Sequence, residues 1–444
     1  MRQSHYVAAV RSRLTALGVV SVLVVAACGS DDDSASDTTS APVESSADTE
    51  PPDTEPPDTE PPDTDPPATE APTTEAPVET ELAGFEAIGP GPYDVGVQTV
   101  TINADSDRPL TLDIWFPLDD AGDAPLHQYT LLPGVFYESD TAVSASADQL
   151  SADGPFPLVV YSHGSGGLRY VASNYTESIA GHGYIVAAPD HTGNTAVDGF
   201  ACAVTPFEVT SFNRPNDVID VIDAMTDPTR AATADFATAV DPEQIAVTGH
   251  SFGGFTTYAV ASGFDNEIGS VDPDPRVDAL IALAPAVGGE RPPDEQDDDV
   301  DEQPEREDPC ADTTETADPI AEDEESARGR VLLSDERLAA IDLPAMAIVG
   351  TDDTSTPVVP NVTRVWELTA SDPHYRVELV AGQHQSFTDA CAYLEVLPTV
   401  PPEVQAIIGP TIESPVSYTH LRAHETIHAI SYAVFCLKRG GGGG

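Results

Sequence analysis

Residues Ile245-Ala246-Val247-Thr248-Gly249-His250-Ser251-Phe252-Gly253-Gly254 carry a β-branched run directly into a glycine-flanked serine and then into an apolar helical stretch. No other segment restricts the fold as much. Gly249 and Gly253 remove Cβ atoms where a strand and a helix must nearly touch, so Ser251 is forced outward at the head of a helix. A bare G-x-S-x-G is a weak signal; the strand before it and the helix after it are what give it weight. The helix N-terminus also favours negative charge developing beside the serine.

The segments around this junction alternate in the same manner. Tyr93–Ala104 and Leu110–Pro117 read as an antiparallel strand pair. Further strands are expected at Pro157–Ser162, Tyr184–Ala188, Ile245–Thr248, Ala279–Ala284, Ala345–Val349 and Tyr375–Val380. Helices are expected at Leu168–Gly181, Asn216–Met225, Phe252–Ser262, Leu333–Ile341, Pro357–Thr369 and Phe387–Leu397. Short continuous apolar strands separated by amphipathic helices predict an α/β fold, with a mostly parallel sheet covered on both faces. Chemistry then belongs at the carboxyl ends of the strands.

An exposed serine needs a base, and the base needs an orienting acid. Asp353 follows the strand Ala345–Val349, and His384 follows the next strand, so both fall on the same sheet edge as Ser251. Asp352 is the competing acid. Tyr161-Ser162-His163-Gly164-Ser165-Gly166-Gly167 follows the first buried strand, and its glycines let backbone amides approach a substrate oxygen. The amides of Ser165 and Phe252 are the predicted oxyanion donors, with His163 bracing the loop. Neither a cofactor nor a metal is expected.

Composition separates this domain from its flanks. The net charge of −58 excludes tracking of a phosphate backbone, so no nucleic-acid partner is expected. Residues 1–27 read as a lipoprotein signal peptide: Arg2, Arg11 and Arg13 precede an apolar run ending in Val25-Ala26-Ala27-Cys28. Cys28 would carry the lipid, and that lipid is the only membrane contact expected. Residues 28–82 repeat Pro-Pro-Asp-Thr-Glu units that cannot build a core, and read as an extended acidic tether. The globular domain is placed at 83–414. Within it, residues 287–330 form an acidic, proline-broken insertion without EF-hand spacing, expected to be a charged, open rim over the site. Cys202, Cys310 and Cys391 could form one disulfide, whose pairing the sequence leaves open.

The C-terminal segment 415–444 reads as foreign. Val416–Thr426 and Ile430–Leu437, back-translated, match the two ends of a common transposase-based sequencing adapter, and the chain's one lysine, Lys438, lies just beyond them. The segment is expected to be adapter read-through into a gene truncated near Ser414. His424-Glu425-Thr426-Ile427-His428 is a formal H-E-x-x-H match, but this origin removes it as a zinc-site candidate.

Several motifs resemble the α/β-hydrolase superfamily, and within it the platelet-activating-factor acetylhydrolase and dienelactone-hydrolase-like esterases. They are Ser162-His163-Gly164, the segment His182–His191, Arg214-Pro215-Asn216-Asp217, Gly249–Gly254 and His384-Gln385-Ser386-Phe387. The resemblance covers roughly Phe156 to Leu394. It implies the α/β-hydrolase fold, ester hydrolysis without a cofactor, and Ser251, Asp353 and His384 as the catalytic residues. One departure matters. Vertebrate acetylhydrolases place the acid soon after the strand that follows the elbow helix, and here Leu283-Ala284-Pro285-Ala286 carries none. Asp353, with Thr354 after it and Pro357 beyond, resembles the acid of bacterial esterases and polyester hydrolases. The combined expectation is a lipid-anchored extracytoplasmic serine esterase of a bacterium, acting on a small ester, lipid or polyester. A cutinase-like polyester hydrolase and an acetylhydrolase-type lipid esterase are alternatives, and a non-catalytic surface binding lipoprotein is the reading from another class.

Overall fold

The computed structural model describes residues 91–132, 135–289 and 331–389. The signal peptide, Cys28, the tether, nearly all of the acidic insertion, Cys310, Cys391 and the segment 390–444 lie outside the described residues. Cys202 is disulfide-bonded.

The strands are β1 (Asp94–Ile102), β2 (Leu110–Leu118), β3 (Leu126–Leu132), β4 (Val135–Ser144), β5 (Phe156–Ser162), β6 (Ile185–Pro189), β7 (Val240–His250), β8 (Phe264–Asp265), β9 (Ser270–Val271), β10 (Ala279–Leu283), β11 (Ala345–Gly350) and β12 (His374–Leu379). The helices are α1 (Ser173–Gly181), α2 (Ala196–Phe200), α3 (Phe207–Thr226), α4 (Ala234–Ala237), α5 (Phe252–Ser262), α6 (Asp335–Ala339) and α7 (Arg364–Leu368). Ten strands form one sheet in the order β12-β11-β10-β7-β5-β6-β2-β1-β4-β3. From β6 to β12 every pairing is parallel, and β2 joins antiparallel to both β6 and β1. With the nucleophile turn between β7 and α5, this is the α/β-hydrolase fold.

The continuous apolar strands follow from burial on both faces. Leu158 and Val160 of β5 pack with Val218, Val221 and Met225 of α3 and Phe255 and Tyr258 of α5. Val159 and Tyr161, alternating with them, pack on the other face with Tyr175 and Ile179 of α1. Each large side chain removed from water in this way contributes roughly 1.5–3 kcal/mol.

Several elements differ from the sequence expectation. The hairpin β3–β4 at the sheet edge was not foreseen, because its strands are half exposed and lack a continuous apolar run. The helix expected from Leu168 begins at Ser173 instead. There Asp389, distant in sequence, accepts from the Asn174 amide and from the Ser173 hydroxyl, and so sets the helix start. The helix expected over Asn216–Met225 extends back to Phe207, with Pro215 inside it. Pro357–Thr369 splits into a wide turn at Val359–Thr363 and the short α7; Pro360, which has no amide hydrogen, lies in the turn. The helix expected over Phe387–Leu397 lies mostly outside the described residues; at its start, His384–Phe387 is a single tight turn and Thr388 is extended.

Candidate active site

β7 ends at His250 and α5 begins at Phe252, leaving Ser251 alone to make the turn. Its backbone sits at φ 56° and ψ −117°, a region that L-residues rarely occupy. The surroundings over-determine that conformation. The Ser251 amide donates to Leu283 O of β10 at 2.9 Å, and Ser251 O accepts from the amides of Gly254 at 2.8 Å and Ala286 at 3.0 Å. The two elbow glycines are required by contact. A Cβ on Gly249 would lie 2.4 Å from Gly253 O, and one on Gly253 would lie 1.9 Å from Ser162 O.

The structure brings Ser251, His384 and Asp353 together. His384 Nε2 lies 2.8 Å from Ser251 Oγ, and His384 Nδ1 lies 2.8 Å from Asp353 Oδ2. The Asp353 carboxylate also accepts from the amides of Ser355 at 2.9 Å and Thr356 at 2.8 Å, and from the Thr356 hydroxyl at 2.8 Å. Its side chain is fully buried. Burial pushes this carboxyl up, but the hydrogen bond and charge of His384, with the Thr356 donors, outweigh it and hold Asp353 below the usual carboxylate range. Asp353 is therefore anionic at neutral pH, and His384 presents Nδ1–H to it. That tautomer leaves Nε2 as the acceptor facing the Ser251 hydroxyl. Asp352, the competing acid, is exposed, and its side chain meets Thr351 rather than His384.

The loop and the helix start that carry the predicted oxyanion donors both adjoin the serine. Gly164 lies against it, since a Cβ built there would be 3.3 Å from Ser251 Cβ. The orientation of each donor amide follows from the carbonyl in the same peptide plane. Gly164 O accepts from His163 Nδ1–H at 2.6 Å and from the Gly167 amide at 3.2 Å, which turns the Ser165 N–H the opposite way. Ser251 O is held by Gly254 and Ala286, which turns the Phe252 N–H outward at the start of α5. Neither the Ser165 nor the Phe252 amide has a backbone acceptor among the described residues. Two unpaired amides beside an activated hydroxyl can stabilise an oxyanion.

His163 is buried and braces the loop, as expected. Its Nε2 accepts from the His191 amide at 3.1 Å, so the ring is neutral with the proton on Nδ1. Burial, then Arg214 and His191, push it well below the ordinary histidine value.

The sequence reading missed two supporting residues. His250 Nε2–H donates to His384 O at 2.9 Å and fixes the backbone of the base. Burial, together with the adjacent His384, pushes His250 down to about 3. Thr356 holds the acid; the signal for it was Asp353-Thr354-Ser355-Thr356, a pattern in which an aspartate caps the amides two and three residues on. Among the described residues no group of His, Cys, Asp and Glu is arranged to hold a metal ion, and no helix is long and apolar enough to cross a membrane.

Residues 128–212 match the family model "Platelet-activating factor acetylhydrolase, isoform II". The chain resembles the platelet-activating factor acetylhydrolases. That match runs from β3 through the candidate oxyanion loop and α1 into α3, and so stops short of Ser251, Asp353 and His384. A platelet-activating factor acetylhydrolase from Bos taurus is 36% identical over 63 residues, 14% of this chain and 14% of that protein. A ferulic acid esterase from Streptomyces cinnamoneus matches structurally with 21% identity and a TM-score of 0.47, over 78% of this chain and 89% of its own.

Proposed function

We propose that this chain is a serine carboxylic-ester hydrolase working through an acyl-enzyme on Ser251. The observation that carries the reading is the continuous Ser251–His384–Asp353 contact at the carboxyl edge of the sheet, with both links 2.8 Å long. Ser251 Oγ attacks the ester carbonyl carbon while His384 Nε2 takes its proton. The carbonyl oxygen becomes anionic between the Ser165 and Phe252 amides. His384 then protonates the leaving alkoxide, and the C–O bond breaks. Water, deprotonated by His384, attacks the acyl-enzyme; collapse returns the proton to Ser251 and frees the acid. Asp353 stays ionised and holds the ring. The segment similar to platelet-activating factor acetylhydrolases supports ester chemistry, and a small ester or lipid ester is the substrate class we assign. The lipoprotein signal at Val25–Cys28 supports an extracytoplasmic, Cys28-anchored location.

Ser251→Ala tests the reading. It should abolish hydrolysis of a short nitrophenyl ester with little change in Tm, and a fluorophosphonate should label the parent protein at Ser251 alone. Full activity in the alanine variant would remove the mechanism.

A further inference from the structure

Behind the candidate oxyanion hole lies a largely buried polar assembly that the mechanism above does not use. Its centre is Arg214 on α3, with 0% of its surface exposed. A guanidinium is rarely sealed inside a protein, because its desolvation must be offset by paired charge and a full set of acceptors. Asp217, one turn on, favours the charge but offsets burial only in part, since burial pushes Arg214 down to about 9; Arg108 grips the same Asp217 carboxylate with two bonds of 2.7 and 2.6 Å. The acceptors around Arg214 are not random. Nη2 donates to His163 O, the carbonyl one residue before the Gly164–Ser165 peptide, and also to Ser162 Oγ at 3.3 Å. Nη1 donates to Asn194 Oδ1, and Asn194 Nδ2 in turn donates to Ser165 Oγ at 3.3 Å. Nε donates to Thr256 Oγ1 at 3.2 Å, and that hydroxyl donates to Phe252 O at 3.0 Å. The guanidinium carbon also lies 4.8 Å from the centre of the Phe252 ring.

Each arm thus ends on one of the two residues whose amides flank Ser251, or on the loop that carries one. Ser165 is reached through Asn194 and through His163; Phe252 is reached through Thr256 and through its ring. The Ser162 hydroxyl is locked from behind: it lies 2.8 Å from His191 Nε2, and His191 Nδ1 lies 2.9 Å from Asp217 Oδ2. Asp217 fixes the proton on Nδ1, so Ser162 donates to Nε2 and offers its lone pair to Arg214. The donor and acceptor sense of the whole assembly is therefore unique. These three side chains are sealed from solvent, so they repeat the nucleophile's hydrogen-bond pattern without access to a substrate.

We propose that Arg214 is the positioning residue of the oxyanion hole. It sets the separation between the Ser165 and Phe252 amides, which come from two different strand–helix connections and share no direct bond. A planar, five-donor fork can hold several acceptors at fixed angles, whereas a lysine ammonium cannot. The inference rests on the esterase reading of the same site.

Arg214→Lys and Asn194→Ala test it in the full chain, with three readouts: kcat and KM on a short nitrophenyl ester, the inhibition constant of phenylboronic acid, and the pH profile of kcat. Phenylboronic acid probes the hole because its tetrahedral serine adduct places an oxygen between the two amides. Loss of one oxyanion donor costs about 10²–10³ in kcat, so displacement without loss should cost about 10- to 100-fold. Both variants should show that fall in kcat, a KM within about threefold, and a matching rise in the inhibition constant. The pH profile should not shift, because neither substitution touches His384 or Asp353. Because both act through one assembly, the double variant should lose less than the product of the single losses. Should Arg214→Lys fail to fold, Asn194→Ala decides alone, since it cuts only the arm to Ser165. Unchanged kcat and boronate affinity in folded variants would overturn the proposal, as would a shifted pH profile or a loss confined to KM. A parent protein that neither hydrolyses esters nor reacts at Ser251 would overturn the esterase reading and this inference with it; an active parent with unimpaired variants overturns this inference alone.

Discussion

Gly253→Ala tests the geometry of the elbow most directly. The added Cβ would lie 1.9 Å from Ser162 O, 2.6 Å from Ser162 C and 2.9 Å from His163 O. All three are backbone atoms of β5 and the loop after it, so no side chain can rotate away. Ordinary carbon contacts begin near 3.5 Å, so the start of α5 and the end of β5 must separate by more than about 1 Å. Overpacking of this kind costs about 1–3 kcal/mol and should lower Tm by several degrees. The catalytic loss should be larger than the stability loss implies. The same movement shifts Ser251 and the Phe252 amide away from the Ser165 amide, and a displacement of about 1 Å at reacting groups costs about 100-fold. Thermal melts paired with kcat on a nitrophenyl ester give both numbers. Gly199→Ala is the control, because a Cβ there meets nothing within 4 Å and no unusual φ is involved. A Gly253→Ala variant with the parent Tm and kcat would refute the close-contact account of the elbow.

Asp353→Asn should lower kcat by about 10³–10⁴, because the amide favours the wrong His384 tautomer, while Asp352→Asn should cost far less; stopped assays at saturating ester rank the two, and the reverse ranking would move the acid by one position. His250 provides a pH test of stability. Its folded value of about 3 lies below the ordinary 6.5, so in that interval the unfolded chain binds a proton that the native state does not. Its contribution is complete above pH ~6.5 and is lost as pH falls, at about 1.4 kcal/mol per pH unit. His250→Gln, which keeps a donor for His384 O, should flatten the fall in unfolding free energy from pH 6.5 to 5.5 by about 1 kcal/mol in urea titrations, because the unfolded histidine is only half protonated at pH 6.5. The difference isolates His250 from the buried carboxyls Glu177 and Asp389, which burial pushes up and which act with the opposite sign. Identical slopes would mean that His250 is not buried as a neutral ring.

Much of this site could be read directly from the chain because its chemistry is local. Gly249–Gly254 specifies a turn through contacts within one strand, one helix and the strand beside them, and α5 begins and ends where its apolar run does. Asp353 follows the buried strand β11 and His384 follows the partly exposed edge strand β12, and a parallel sheet places such positions on one edge. The sequence favoured Asp353 but left Asp352 in competition, and the two separate only in three dimensions. Neighbouring aspartates point in different directions, and only the loop's path shows which carboxylate accepts from the Thr356 amide and reaches His384. The buried assembly around Arg214 was equally hidden. Arg214-Pro215-Asn216-Asp217 was visible as a motif but was taken to head a helix, whereas it sits in the third turn of one. What Arg214 contacts is contributed by segments 20, 42 and 52 residues away. Periodicity reports which face of an element is apolar; it carries nothing about which distant acceptors meet a buried cation. The sequence alone therefore determined the candidate serine and histidine and the sheet edge they share, because those depend on local turns and strand ends. Only the tertiary structure decided which aspartate meets His384 and which acceptors surround Arg214, because both depend on hydrogen bonds between segments that folding alone brings together.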